Sequence, residues 1–266
     1  VPSRISATQQ TESTGKAETI SREIVSAFPV DSVCWVALMR EGTRRDLPAN
    51  VSTVTQLDAL IGPRPRAVVE AASQEAVAAY VPALLEAGIP TIIASIGAFA
   101  DPILAARLTD ASRNSGARLV LPSGALGGLD YLRAIAALPE ARVRYTSRKP
   151  PTAWEVELAT LGLSAEHDAV SLFEGTPAQA AKLYPKNLNA AFAVALAAGI
   201  DKVTVRVVAD PKAAGNMHEI EVESTAGTAS FRLVNAPSPN NPKTSMLTAL
   251  SLVAALGELL DREGLS

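Results

Sequence analysis

Cysteine is almost missing from this chain of 266 residues, which has only Cys34. A single cysteine excludes an internal disulfide and is typical of a reducing compartment, so we expect a cytoplasmic protein. Cys34 lies inside an apolar segment, where we expect a thiol packed in the core. Aromatic residues make up 4% of the chain and histidines number two, so each histidine is examined as a candidate for chemistry.

Long apolar runs and a large excess of one charge are also missing. No apolar stretch reaches the roughly 20 residues that a membrane-spanning helix needs, and the first residues lack the apolar core of a signal peptide. The formal net charge is -3 without a long basic run, which argues against a nucleic-acid-binding surface. No residues have the spacing of metal ligands. We therefore expect a small-molecule-binding protein without membrane, nucleic acid or metal.

The composition is that of a globular protein, with 48% hydrophobic and 19% charged residues. Between residues 17 and 121 apolar segments of strand length alternate with segments of helical spacing. Asp101 followed by Pro102 predicts a helix start and Gly116 predicts its end, while Gly88 predicts the end of the preceding helix. Strands that alternate with single helices favour a parallel sheet covered by helices. This half is predicted to be an α/β domain.

A glycine-rich loop, PSGALGGLD at residues 122–130, directly follows the apolar run 117–121. We expect this run to be a buried strand. Glycines at the end of such a strand let backbone amides approach a ligand closely, and ligands of open α/β sheets lie at these carboxyl ends. The loop predicts a small-molecule site, although a plain strand-to-helix turn would also use glycines.

The chain beyond residue 140 has a different pattern. Residues 143–154 read as extended, with Pro150 and Pro151 excluding helix there. Strands are predicted at 202–209, 219–223 and 228–234, the last with the two-residue alternation of a half-exposed antiparallel strand. A helix with a long apolar face, 246–260, ends the pattern. These features favour a second domain of α+β type.

Polar clusters in this second half supply the candidate site residues. Asn187 and Asn189 precede an apolar helix and are either helix caps or ligand contacts. His218 lies at the predicted mouth of a strand, where an imidazole suits general acid or base chemistry, whereas His167 is expected at the surface. Lys243 and Thr244 lie at the start of the last helix, where a cation and a helix N-terminus suit a carboxylate.

Several segments together carry a resemblance to a known family. The chain resembles the L-aspartate dehydrogenases over roughly residues 68–245, about two-thirds of its length. The matching segments, in the order of that family, are VVEAASQEAV, PSGALGGLD, TSRKPP, FEGTPAQAAKLYPKNLNAA, VVADPKAAGNMHEI and NPKTS. The resemblance implies a Rossmann-like dinucleotide-binding domain with a parallel sheet over residues 1–121, which the helix 245–266 rejoins. It implies an α+β catalytic and dimerisation domain over 122–244.

The resemblance also implies an activity and residue roles. Proteins of this family oxidise L-aspartate to iminoaspartate with NAD or NADP, usually as homodimers. The imine hydrolyses to oxaloacetate and ammonia or enters NAD biosynthesis. By motif position, His218 is the catalytic histidine, Ala125 with Gly124 contacts the cofactor, and Asn189, rather than Asn187, binds its nicotinamide side. Charge alone suggests Lys243 and Thr244 for the carboxylates of L-aspartate or a similar dicarboxylate amino acid, with Arg148 or Lys149 as further candidates.

The N-terminus departs from the expected pattern. A dinucleotide-binding domain begins with an apolar strand and G-x-G-x-x-G, but only Gly15 aligns, as the third glycine, and Gln10 and Glu12 occupy the other two positions. The run 6–14 is too polar for a buried central strand. Two alternatives therefore stand beside the dehydrogenase: a related binding or regulatory protein without dinucleotide binding, and an imine reductase of similar fold.

Two segments of the first half bear on the cofactor. Ser13, Thr14 or Lys16 would contact phosphates if the dinucleotide is bound. Arginines between residues 40 and 45 would suit the 2′-phosphate of NADP, whereas Glu41 would suit the ribose hydroxyl of NAD. The sequence leaves this choice open.

Overall fold

In a computed structural model the chain forms two compact units, the first made of Val1–Gly124 and Ser238–Ser266 and the second of Ala125–Pro237. The structure describes residues 3–8, 16–28, 33–42, 47–184, 189–238 and 241–264, with the backbone alone for 3–8, 16–19, 241–244 and 262–264. Residues 122–124, 238 and 241–244 were expected in the catalytic domain but lie in the first unit. The strand at 241–245 packs there against the first and last helices.

Strands and helices follow one another along both units. The strands are β1 Ser3–Thr8, β2 Val33–Leu38, β3 Val51–Val54, β4 Ala67–Glu70, β5 Thr91–Ile93, β6 Leu119–Val120, β7 Arg142–Lys149, β8 Val170–Gly175, β9 Val203–Ala209, β10 Asn216–Ser224, β11 Gly227–Asn235, β12 Pro237–Ser238 and β13 Asn241–Ser245. The helices are α1 Lys16–Ser26, α2 Leu57–Ile61, α3 Gln74–Glu86, α4 Pro102–Ser115, α5 Leu129–Ile135, α6 Glu155–Leu161, α7 Pro177–Leu183, α8 Asn189–Ala198 and α9 Met246–Gly264.

The first unit is built on a six-stranded sheet in the order β3-β2-β1-β4-β5-β6, and all of its pairs are parallel. The predicted parallel sheet is therefore confirmed. Strand β3 and helix α2 were not predicted, because they have only four and five residues, which is too short for a clear hydrophobic periodicity.

The last helix contributes to the core of the first unit. Ala249, Leu252, Leu256 and Leu259 of α9 belong to one buried cluster with Ile20 and Ile24 of α1 and Trp35 of β2. The Arg66 guanidinium also donates a hydrogen bond of 2.9 Å to the carbonyl of Leu260. Burial of these apolar side chains removes them from water and stabilises the unit.

Local signals for α4 are confirmed in detail. The Asp101 carboxylate accepts hydrogen bonds from the backbone N–H of Ile103 and Leu104, at 2.9 and 3.3 Å, and Pro102 is the first helical residue. Gly116 ends the helix with a φ of 75°, which glycine adopts without steric cost.

Three expectations about the first unit were wrong. The run 6–14 was judged too polar for a buried central strand, yet its described part, Ser6 to Thr8, belongs to β1, which lies between β2 and β4 and pairs with both. Strand pairing satisfies backbone groups whatever the side chains are. The strand before the glycine-rich loop is only two residues long, lies at the sheet edge and is half-buried. Cys34 is likewise half-buried rather than a core residue.

The second unit contains a five-stranded sheet in the order β11-β10-β7-β9-β8. The pair β7–β9 is parallel and the other three pairs are antiparallel, so the unit is of mixed α+β type. Strand β11 alternates between exposed and half-buried positions, as predicted. The extended segment was predicted too long, because a 3-10 helix occupies Pro151–Ala153 and proline is well suited to a first helical position.

The structure also bears on the membrane expectation. Within the described parts of the chain, no helix is long and apolar enough to cross a membrane.

Candidate active site

The loops at the carboxyl ends of β4 and β5 are made of small and buried residues. Ala71, Ala72 and Ser73 follow β4, and Ser95 with Ile96 follows β5. Ala71 and Ala72 are 4% and 8% exposed. Because the two strands are parallel neighbours, both loops lie at the same edge of the sheet, where dinucleotides bind in this fold.

One fully buried carboxylate joins these two loops. Oε1 of Glu70 accepts hydrogen bonds from the backbone N–H of Ala72 and Ser73, at 2.7 and 2.9 Å, and from the Ser95 hydroxyl at 3.0 Å. Its Oε2 accepts from the Ser95 N–H at 3.0 Å. Burial raises the pKa of Glu70, and these hydrogen bonds oppose that rise. Glu70 was not predicted as a site residue, although a glutamate at the end of an apolar strand was a visible signal.

The glycine-rich loop is shaped by two positive φ angles. Gly124 has a φ of 62° with open space around it, whereas Gly128 has a φ of 75° and faces Phe231. A Cβ at Gly128 would lie 2.7 Å from that ring, so this position requires glycine for two reasons. The side-chain amide of Asn235 donates a hydrogen bond of 2.8 Å to the carbonyl of Ala125. Asn235 is a second residue that was not predicted from the sequence.

His218 is the third residue of β10 and is only 7% exposed. The antiparallel register places it opposite Ser147 of β7. Its Nδ1 lies 2.8 Å from the Tyr145 hydroxyl, and the two rings are stacked with centroids 6.0 Å apart. Burial, together with a smaller effect of the Lys149 charge, lowers the pKa of His218 to about 4. The imidazole is therefore neutral near pH 7.

Tyr145 and Lys149 belong to the same side of β7 because they are four residues apart in a strand. Tyr145 is fully buried, and burial raises the pKa of its hydroxyl, which keeps its proton at neutral pH. The Lys149 ammonium lies 5.0 Å from the centroid of the Trp154 ring, within cation–π range. Burial lowers the pKa of Lys149. Together with His218, these residues form a polar group on one face of the sheet, which we call the histidine cluster.

Arg148, the other basic candidate on β7, is engaged elsewhere. Its guanidinium lies 3.1 Å from the Asp210 carboxylate and 3.0 Å from that of Glu219. Two carboxylates already balance its charge, so it is a poor candidate for binding a substrate carboxylate. Of the two alternatives raised from charge, Lys149 is the better placed, because it lies beside His218.

The remaining predicted site residues are placed as follows. Asn189 is the first residue of α8, is half-buried, and begins a helix that packs on β7 and β9. Lys243 and Thr244 lie in β13, directly before α9. Gly15, with Gln10 and Glu12, lies outside the described residues, as does Asn187. His167 is exposed, as predicted.

The fold of the first unit defines a class of protein. A parallel sheet in the order 3-2-1-4-5-6, with helices between its strands, is the Rossmann arrangement of dinucleotide-binding proteins. Among the described residues, no group of three or more histidine, cysteine, aspartate or glutamate side chains could hold a metal ion.

Comparisons with known proteins narrow the class to a family. The profile "Homoserine dehydrogenase, NAD binding domain" matches residues 17–122, and the profile "Aspartate dehydrogenase, C-terminal" matches residues 130–259. The chain is 43% identical to L-aspartate dehydrogenase 2 of Bordetella bronchiseptica, over 91% of this chain and 94% of that one. It is 42% identical to the L-aspartate dehydrogenase of Ruegeria pomeroyi, over 89% and 88% of the two chains.

A solved structure agrees with these sequences. The aspartate dehydrogenase of Thermotoga maritima superposes with a TM-score of 0.76 at 29% identity, covering 99% of both chains. The chain belongs to the L-aspartate dehydrogenase family. The resemblance noted from the motifs is thereby confirmed.

Proposed function

We propose that this protein oxidises L-aspartate to iminoaspartate, with a nicotinamide dinucleotide as hydride acceptor. The observation that carries the proposal is the buried and neutral imidazole of His218, hydrogen bonded to Tyr145 and placed beside the cation of Lys149. Membership of the L-aspartate dehydrogenase family supplies the reaction class, and the histidine cluster supplies groups suited to an amino acid with two carboxylates.

The residues of the first unit fit a dinucleotide. Gly124 has a positive φ after β6 and open space where a Cβ would lie, so a ligand can approach the backbone closely there. Gly124 and the backbone of Ala125 are the proposed cofactor contacts in this loop, with Asn235 fixing the Ala125 carbonyl. Asn189 and Gly15 complete the proposed set. When bound, the nicotinamide would accept the hydride that leaves the α-carbon of aspartate.

His218 would act as the proton acceptor. Loss of one proton from the substrate ammonium leaves a neutral amine, whose lone pair forms the C=N bond as the hydride departs. For Nε2 to receive that proton, Nδ1 carries the ring hydrogen and the Tyr145 oxygen accepts it. The substrate carboxylates raise the basicity of the imidazole on binding, since a nearby negative charge favours its protonated form. His218 could alternatively activate the water that hydrolyses the imine.

The substrate carboxylates need positive partners. We propose Lys149 for one of them, because its ammonium lies in the histidine cluster and is already partly withdrawn from water. Lys243 and Thr244 are proposed for the other, on the chemistry of a cation and a hydroxyl. These contacts would orient the α-carbon, and positioning of this kind supplies much of the rate enhancement of hydride transfer.

We further propose that the protein works as a homodimer and that its imine product is hydrolysed to oxaloacetate and ammonia or used in NAD biosynthesis. The dimer is what the resemblance to the L-aspartate dehydrogenase family implies. Sedimentation equilibrium over a range of protein concentrations tests the stoichiometry.

The first experiment is a titration of the purified protein with NADH and with NADPH, followed by nicotinamide fluorescence. Micromolar binding of either, followed by reduction of the matching oxidised cofactor with L-aspartate, supports the proposal. The preferred cofactor shows whether the exposed Arg40 or Glu41 after β2 dominates that end of the site. Binding of neither cofactor would favour the related binding protein, and turnover of a cyclic imine in place of aspartate would favour the imine reductase.

A further inference from the structure

Glu70 is a buried carboxylate for which the proposed reaction has no direct use. It is fully buried, and within the described residues it belongs to no ion pair. Four donors converge on its two oxygens, three of them backbone N–H groups. An ionised carboxylate only accepts hydrogen bonds, whereas a protonated one must donate one. The arrangement of four donors therefore matches the ionised form.

The neighbouring helix end supports that negative charge. Ser73 is the N-cap of α3, and its side chain accepts a hydrogen bond from the N–H of Ala76. The N–H groups of Ala72 and Ser73 thus lie at the positive end of the helix dipole and point at Glu70. Charge-assisted hydrogen bonds of this kind are stronger than neutral ones, so the carboxylate fixes the geometry of its donors.

Those donors come from two separate loops. Ala72 and Ser73 follow β4, whereas Ser95 follows β5 and is 25 residues from Glu70 in sequence. The first three strands of a 3-2-1-4-5-6 sheet form one mononucleotide-binding half, and the acidic residue that binds the adenosine ribose belongs to it. The half formed by β4, β5 and β6 therefore receives the other nucleotide, which carries the nicotinamide.

We propose that Glu70 is a positioning residue for the nicotinamide half of the cofactor. Its carboxylate fixes the loop after β4 and the loop after β5 at one spacing, so that their backbone groups are arranged before the dinucleotide arrives. Such preorganisation lowers the entropy that ordering would otherwise cost on binding. This inference rests on the proposed function, because it assumes that the first unit binds a nicotinamide dinucleotide.

Three substitutions separate the elements of this arrangement. Glu70→Gln keeps the length of the side chain but places an NH₂ group against the Ser95 N–H, which opposes two donors. Glu70→Asp keeps the charge but withdraws it by one methylene from the loops. Ser95→Ala removes the hydroxyl bond alone and leaves all three backbone hydrogen bonds to Glu70. The matched control is Glu86→Gln, the same change at an exposed position near the far end of α3.

The measurement is fluorescence titration with NADH and NADPH, with the dissociation constant and the number of binding-competent sites fitted separately. A purely structural role would lower the number of sites and leave their dissociation constant unchanged, since the molecules that fold would bind normally. We expect the dissociation constant to rise about tenfold in Glu70→Gln and Glu70→Asp and about threefold in Ser95→Ala. Saturating-cofactor kinetics should show a lower kcat with the KM for aspartate within twofold of the wild type.

The outcomes are distinct. An unchanged dissociation constant in folded Glu70→Gln would overturn this inference while leaving the proposed function intact. If Glu70→Gln does not fold, an unchanged dissociation constant in Ser95→Ala would also overturn the inference about Glu70. Failure of the wild type to bind either reduced cofactor would remove the proposed function, and this inference with it. A tenfold rise of the dissociation constant in Glu86→Gln would show that loss of a distant carboxylate has the same effect. That result would also contradict a specific role of Glu70.

Discussion

The Tyr145 hydroxyl lies 2.8 Å from Nδ1 of His218, and its ring is stacked on the imidazole. One nitrogen of the imidazole is thus occupied by a buried partner, and only Nε2 is left for proton exchange with a substrate. The pair also fixes the rotation of the ring, since the hydroxyl accepts or donates along one direction. Tyr145 therefore determines the orientation of the His218 ring and leaves Nε2 to face a substrate.

Replacement of Tyr145 by phenylalanine should lower kcat without disturbing the fold. The stacked ring is retained, and only the hydroxyl is lost. We expect kcat for aspartate to fall about tenfold, equivalent to about 1.4 kcal/mol, because the imidazole loses its orienting partner. Steady-state kinetics at saturating cofactor measure the change. Tyr80→Phe, the same substitution on α3, is the control, and an equal loss in both variants would contradict a specific role for Tyr145.

The low pKa of His218 predicts a pH dependence of stability. Its pKa is about 4 in the folded protein, against an ordinary value of 6.5. The unfolded chain therefore binds a proton first as the pH falls, so His218 contributes stability that is fully present above pH 6.5 and is lost as the pH falls towards 4. The full loss is on the order of 3 kcal/mol.

Urea unfolding of the wild type and of His218→Gln between pH 7.5 and pH 4.5 measures this contribution, because other titrating groups are common to both. We expect the free energy of unfolding of the wild type to fall more steeply with acid than that of the variant. Parallel curves would show that His218 is not the buried neutral group described above. The same variant should lose turnover almost completely while binding the cofactor normally.

Lys149 should influence both His218 and the substrate. Replacement by methionine keeps the hydrophobic stem and removes the charge that lowers the pKa of His218. We expect the His218 pKa to rise while staying below 6.5, because burial, the larger cause, persists. We also expect KM for aspartate to rise by at least tenfold, since a charged hydrogen bond contributes about 1.5–3 kcal/mol.

Proton NMR of the imidazole signals measures the pKa directly, because the chain has only two histidines and exposed His167 serves as the internal reference. Lys182→Met on α7 makes the same substitution at an exposed position and is the control. A pKa of His218 that does not move, or a normal KM for aspartate in Lys149→Met, would remove Lys149 from the proposed site.

The two glycines of positive φ in the glycine-rich loop provide a matched pair for stability. Alanine at either position is strained by the backbone, by about 1 kcal/mol. At Gly124 nothing lies within 4 Å of the added Cβ, whereas at Gly128 the Phe231 ring lies 2.7 Å away. We expect Gly128→Ala to cost about 1–3 kcal/mol more than Gly124→Ala, because the ring must move.

Urea unfolding at pH 7.5 compares the two variants. A second substitution, Phe231→Leu, makes room for the Cβ and should recover part of the difference in Gly128→Ala while having no such effect in Gly124→Ala. Equal losses at the two glycines would show that φ alone decides the residue at position 128.

Much of the first unit could be predicted because its signals are local. The Asp101–Pro102 start and Gly116 end of α4 lie within the helix itself, and the apolar strands β2, β4 and β5 need no partner to be recognised. Strand β1 was misjudged because its central place depends on pairing with β2 and β4, which its own polarity does not reveal.

The same difference between local and distant signals decided which site residues could be predicted. His218 could be identified from its motif, but Tyr145 is 73 residues away and meets it only through the antiparallel register of β7 and β10. Glu70 and Ser95 are likewise joined by the pairing of two parallel strands. A residue's type is visible in the sequence, whereas a partner distant in sequence becomes visible only when the strands are aligned.

The packing of α9 against α1 has a consequence for synthesis of the chain. Ile20 and Ile24 are synthesised before residues 125–237, whereas Leu252 and Leu256, which share their buried cluster, are synthesised after them. Residues 125–237 form a separate unit between these segments, so they can complete their fold while the apolar surface of α1 still awaits its partner. During synthesis the second unit can therefore fold before the first unit is complete. A chain terminated before α9 would contain a folded second unit and a first unit whose apolar core is exposed.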